Sequence, residues 1–258
     1  KGAAMKKIKN PLIRRIPKEL IGDWKKYLVV FLFLVLTIGF VSGMYVANES
    51  MITSANEGVT KYKQEDGHFE LKKQADATLL SAIETGEKAD FKATKTTLYE
   101  NFFRNEEEDY NNDGKKDGTI RVFAKTKDIN LACMLQGSFP QKADEIAIDR
   151  MHADNVGIKV GDTVTVSGET YKVVGLLAYA NYSTLHEKTT DLMFDALKFD
   201  VAMVTQDGFD RLHKSIHYTY AWKYETEPAD EAGEKTRSDN FMRALLTQVV
   251  VADNELED

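Results

Sequence analysis

Cysteine is almost missing from this 258-residue chain: Cys133 stands alone, which excludes an internal disulfide framework and a cysteine-based zinc cluster. Proline is scarce as well, with 4 in all, and together with 16 glycines this excludes a low-complexity or disordered polymer. No G-x-S-x-G elbow, P-loop lysine motif or dinucleotide-binding glycine set occurs, so nucleophilic hydrolysis and nucleotide chemistry find no support. Long apolar runs are missing too, with one exception.

That exception is YLVVFLFLVLTIGFVSGMYVA, Tyr27 to Ala47, 21 residues without a charge. As a helix it reaches roughly 30 Å, the hydrocarbon thickness of a bilayer. Trp24, Tyr27 and Tyr45 mark its ends, where amphipathic rings settle at headgroup level. Residues 1–26 carry nine Lys/Arg against Glu19 and Asp23, a net charge of +7, whereas the remainder holds 25 basic and 39 acidic residues, a net of −14. By the positive-inside rule residues 1–26 are expected in the cytoplasm and 48–258 outside the cell membrane. A cleaved signal peptide is the alternative, but the apolar run and its basic lead are both longer than such signals carry. No cysteine follows the run closely, so lipoprotein anchoring is excluded. In the lead, Leu20, Ile21 and Trp24 share one helical face beside Lys18, Lys25 and Lys26, a pattern suited to the lipid surface. The acidic balance of the outer part speaks against nucleic acid as a partner.

The expected organisation is a cytoplasmic lead (1–26), a membrane helix (27–47), a helical stalk (48–67) and an outer domain (68–258). HFELKK, TIRVFAKT, DVAMVT and YTYAWKYE alternate as strands, and FKATKTTLYENFF is β-rich. ADATLLSAIETGE has helical spacing with Gly86 as its C-cap, and EAGEKTRSDNFMRALLTQVV reads as a closing helix. INLACMLQG reads as a short helix or an extended segment, QDGFDRLHKSI as a helix, and NEEEDYNNDGKKDG as a charged loop. The most patterned stretch is EIAIDRMHADNVGIKVGDTVTVSGETYKVVGLL (145–177): a strand, a short helix closed by Gly157, and a hairpin turning at Ser167-Gly168-Glu169 with Val164, Val166, Tyr171 and Val173 inward. The fold class is α+β, with one lobe or two left open for the outer domain.

Candidate sites are few. Asp109, Asn111, Asp113 and Asp117 follow the opening of a calcium loop, but Ile120 holds the twelfth place where a glutamate should close it, so weak calcium binding and a solvated Asn/Asp turn both stay open. His213 and His217 lie four apart without the glutamate of a zinc hydrolase. His68, His152 and His186 are scattered, Glu106 to Asp109 read as a solvated charge run, and Cys133 as buried filler. No catalytic set emerges, and no cofactor is expected beyond that calcium.

Two stretches carry a resemblance. KELIGDWKKYLVVFLFLVLTIGFVSG resembles the first helix of ABC-transporter permeases of the MacB/FtsX type, and residues 145–177 resemble their extracytoplasmic core domain, with FDVAMVTQDGFDRL similar to a later strand and helix of it. The resemblance spans most of 14–225 and is weakest over 55–130. It implies an outer domain that moves with ATP-driven motion of membrane helices. The implied partners are a separate cytoplasmic ATPase subunit, a homo- or heterodimeric permease partner and membrane lipids. It also implies structural roles for Trp24 and Tyr27 at the membrane interface, Gly39 and Gly43 in helix packing, and Gly157, Gly161, Asp162, Gly168 and Gly175 in the module. Such permeases have further membrane helices after the outer domain, so this chain, with KGAA before Met5, is expected to be a fragment of a longer protein. A single-pass receptor or adhesion protein is the alternative.

Overall fold

A computed structural model describes residues 21–86, 95–182, 184–188, 190–226 and 228–257. The cytoplasmic lead up to residue 20 and the first residues of the FKATKTTLYENFF stretch lie outside these. The chain divides into two compact units, one up to Ser54 and one from Ala55 onward.

The first unit is carried by helix α1, Trp24–Thr60, 37 residues long, whose last turns enter the second unit. It is long and apolar enough to cross a membrane, and every described residue up to Asn56 is exposed. A helix that is apolar all round needs an apolar environment on every side. Thr37, near the middle of the span, donates its hydroxyl back to the Phe33 carbonyl at 2.8 Å, which satisfies it without a partner helix.

The second unit holds two sheets. Strands β1 (Gly67–Leu71), β10 (Tyr218–Tyr224) and β2 (Thr96–Glu100) form an antiparallel sheet in the order β1-β10-β2. Helices α2 (Ala77–Thr85) and α5 (Glu231–Val251) supply Leu79, Ile83, Phe241, Leu245 and Val249 to its core with Phe69, Leu71 and Tyr220. Asp76 caps α2 by accepting from the Leu79 N–H, and Gly86 ends it at φ 62°, the left-handed conformation glycine takes without a Cβ penalty.

The larger sheet runs β5-β8-β6-β9-β4-β3-β7: β5 is Cys133–Gly137, β8 Glu169–Ala178, β6 Glu145–Asp149, β9 Phe199–Val204, β4 Gly118–Ala124, β3 Phe103–Asp109 and β7 Thr163–Val166. Because β7 also pairs back to β8, all but β5 close into a ring. β6 runs parallel to β8, and β4 parallel to β9. One face carries Ile120, Val122, Ile146, Ile148, Val164, Val166, Tyr171 and Val173; the other carries Phe103, Phe123, Leu177, Phe199, Val201 and Met203. Alternation along each strand sorts the two sets. Helix α3 (Arg150–Val156) follows β6 directly, and α4 (Gln206–Asp210) follows β9.

Two expectations change, and one left open between two alternatives is decided. Residues 105–109 belong to β3 and not to a charged loop, because cross-strand bonds to Arg121, Ile120, Thr119 and Gly118 extend the strand through the glutamates. The helix after β9 stops at Asp210, so His213 and His217 share no helical face. INLACMLQG resolves as extended, its Cys133–Gly137 part being β5.

Candidate functional site

The 145–177 module sets the scaffold. Asp149 ends β6 and caps α3, accepting from the N–H groups of Met151 and His152, which fixes the angle at which the helix leaves the strand. Gly157 at φ 85° ends α3, and Gly161 sits at φ 107°. The Asp162 carboxylate accepts from Lys159 N–H at 2.8 Å. Ser167 (φ 48°) and Gly168 (φ 87°) form a two-residue turn between Val166 and Glu169, whose twist matches that of the strands. Gly175 stands inside β8, opposite Gly137, and not in a turn.

Beneath this scaffold lies a cluster that sequence reasoning dispersed. Glu108 from β3, His152 from α3 and Asp200 from β9 converge with no solvent exposure, against the expectation of a solvated charge run and a scattered histidine. His152 Nε2 lies 3.4 Å from Glu108 Oε1, an ion-pair contact without hydrogen-bond geometry, while its Nδ1 is 2.8 Å from the Ala196 carbonyl. Tyr110 meets the imidazole edge-on at 5.9 Å. Burial works to lower the His152 pKa; the charge of Asp200, the contact with Glu108 and the Ala196 carbonyl outweigh it and raise it to about 9. Burial raises Asp200 well above the usual carboxylate range, against the opposing pull of His152. Burial likewise raises Asp149. Neighbouring Glu106 is also buried, but its oxygens accept from the Ser167 hydroxyl and the Lys214 N–H.

A second feature is a cleft of about 490 Å³ lined by residues of both sheets, including Glu65, His68, Glu70, Arg121 and His217. Arg121 organises it. The guanidinium donates to Asn105, to the Tyr182 hydroxyl and to the Glu187 carbonyl, and lies 4.3 Å from the Phe103 ring centroid. His217 stacks on the same Phe103 at 4.6 Å and contacts Glu70 at 2.6 Å. Arg121→Lys keeps the charge but loses the planar fork; it is expected to cost about 1–3 kcal/mol in urea denaturation. An unchanged midpoint would mean that the fork does not hold the cleft together.

The remaining expected residues are apart from both features. Trp24 and Tyr27 are exposed at the start of α1. A methyl group on Gly39 or Gly43 would meet nothing within 4 Å, so the two glycines leave a notch on the helix surface. Asp109, Asn111, Asp113 and Asp117 do come together between β3 and β4. Their oxygens accept from Asp113, Gly114, Tyr110 and the Asn111 amide, so the turn's own donors engage them. Asp113 accepts in addition from the Lys115 N–H. Cys133 is half-buried and accepts from the Tyr62 hydroxyl at 2.9 Å, which corrects its reading as buried filler. No nucleophile–base pair presents itself in either feature.

No family model and no curated protein matches the chain. Two of its structural neighbours are outer domains of ABC-type transporters. The extracellular domain of the noncanonic ABC-type transporter YknZ from Gram-positive bacteria is similar at 13% identity and a TM-score of 0.36, over 74% of this chain and 100% of that one. The periplasmic region of MacB from Actinobacillus actinomycetemcomitans is similar at 9% identity and a TM-score of 0.36, over 68% of this chain and 82% of that one.

Proposed function

We propose that the chain supplies the first membrane helix and the extracytoplasmic domain of an ABC permease of the MacB/FtsX type. In this reading the outer domain is moved by membrane helices that a separate cytoplasmic ATPase subunit drives, in a permease homo- or heterodimer. The observation that carries the reading is the 145–177 module, β6–α3–β7–β8 in the order and spacing of that family's core domain, placed after one apolar helix with a basic lead. The helix is unbroken from Trp24 to Thr60, which suits a rod transmitting displacement. One feature accords with a mechanical or partner-binding role: Leu192, Met193 and Phe194 form an exposed apolar tip.

Orientation is tested first. In a Cys133→Ser background, Lys115→Cys, a side chain 82% exposed, is expected to react with a membrane-impermeant maleimide on intact cells, and Lys9→Cys only after lysis. Labelling of both in intact cells would remove the topology. Crosslinking in native membranes is then expected to join residues 1–26 to a subunit bearing a G-x-x-x-x-G-K-[ST] loop. Crosslinks confined to outer ligands would favour a receptor.

A further inference from the structure

We infer that Glu108, His152 and Asp200 form a buried binding site for one divalent cation of the zinc type, which ties β3, α3 and β9 together. One ligand atom from each residue lies within 4.8 Å of the others. The 3.4 Å between His152 Nε2 and Glu108 Oε1 is close to the edge of a tetrahedron with bonds of about 2.1 Å. The Ala196 carbonyl accepts from Nδ1, an arrangement that assigns the proton to Nδ1 and turns the Nε2 lone pair toward the two carboxylates. Metal-ligating histidines are held in this way by a backbone carbonyl behind the ring.

The second observation is what these atoms lack. Both oxygens of Glu108, Asp200 Oδ2 and His152 Nε2 are buried, and none has a hydrogen-bonding partner among the described residues. Buried polar groups normally find one. Glu106, two residues before Glu108 on the same strand face, has both oxygens engaged, so the strand offers donors where they are needed. Asp200 Oδ1 is likewise engaged, by the N–H groups of Asp149 and Val201, and Oδ2 alone is left for the cluster. A dication balances the two carboxylates and satisfies the free positions at once. One imidazole with two carboxylates suits zinc or manganese better than magnesium or calcium, which prefer sites built wholly of oxygen. Full burial makes the role structural.

The test uses the full chain in detergent, expressed with added zinc and purified without a chelator or a polyhistidine tag. Elemental analysis is expected to find about one zinc per chain. Stripping it should lower the melting temperature by about 5 °C or more, restored by Zn²⁺ but not by equal Mg²⁺ or Ca²⁺. Glu108→Gln is expected to lose zinc by about fivefold or more, while Glu106→Gln keeps it. Two results overturn the proposal. One is wild-type zinc below about a tenth per chain with no thermal response to Zn²⁺, in which case protons hold the cluster. The other is zinc retained equally by Glu108→Gln. Should Glu108→Gln not fold, Asp200→Asn takes its place, and the strip-and-restore comparison on the wild type decides without either.

Discussion

Gly137→Ala is expected to be among the most damaging single changes in the outer unit, at about 3 kcal/mol or more. Two costs coincide there. Gly137 sits at φ 77°, where a side chain is strained by roughly 1–2 kcal/mol. A Cβ at that position would also lie 2.2 Å from the Val174 carbonyl oxygen and 3.0 Å from Gly175 Cα. The neighbour is backbone and cannot swing aside as a side chain could. The Val174 carbonyl is moreover held by the Ser138 N–H at 2.9 Å. Relief therefore requires β5 to part from β8, which are paired from Cys133 to Gly137 through a register shift at Met134/Gln136. Gly175→Ala should cost less. Its Cβ would meet the Ser138 carbonyl at 2.5 Å, but the other near atom, Met134 Sδ at 2.7 Å, belongs to a flexible thioether. Gly168→Ala meets open space at φ 87°, and should cost about 1 kcal/mol from backbone strain alone. In thermal unfolding the Gly137 variant is expected to melt about 6–12 °C below wild type. The double variant should lose less than the sum, since the two glycines share one contact. If Gly137→Ala melts with the wild type, β5 and β8 do not approach as closely as described.

The contrast between these glycines also measures what was legible in the sequence. Gly86, Gly157 and Gly168 follow apolar-periodic segments, so their left-handed conformations could be expected from position alone. Gly175 lies in the apolar run VVGLL, and nothing local distinguishes a turn from a close approach by a strand about forty residues earlier in the chain. The same limit hid the buried cluster. β3 reads FRNEEED, in which charge masks the period-2 alternation that marks the other strands, so Glu106 and Glu108 read as solvated. Their burial follows from pairing with β4 and β7, which is long-range information. One signal was available: Glu106 and Glu108 are two apart, as side chains on one face of a strand must be. Where a segment's fate was set by its own pattern, as in the hairpin at Ser167-Gly168 or the closing helix, the reading from residues and the structure coincide.

The closing helix yields the second large effect. Phe241→Ala is expected to cost about 3–5 kcal/mol, the range for emptying a buried aromatic site. Phe241 lies 4.4 Å from the Trp222 ring and 6.5 Å from Phe69, and Tyr224 meets it edge-on at 6.1 Å. The buried residues Phe241, Ala244, Leu245, Gln248 and Val249 recur at i, i+3, i+4, i+7 and i+8, so they form one stripe along α5. Removing the first large knob loosens the whole stripe. Val250, 76% exposed on another face, provides the comparison: Val250→Ala should change stability by less than about 0.5 kcal/mol. The consequence reaches beyond the helix, because three strands with one uncovered apolar face are marginal by themselves. Amide exchange is therefore expected to accelerate first in β1 and β10 of the Phe241 variant. β4 and β9, whose core is built from Ile120, Val122, Ala202 and Val204, should keep their protection. Such a pattern would mean that the small sheet with α2 and α5 unfolds separately, giving the outer unit two lobes in the energetic sense. Equal loss of protection in β4 and β9 would instead mean that Arg121 and the aromatic stack at Phe103 and His217 weld both sheets into one cooperative body.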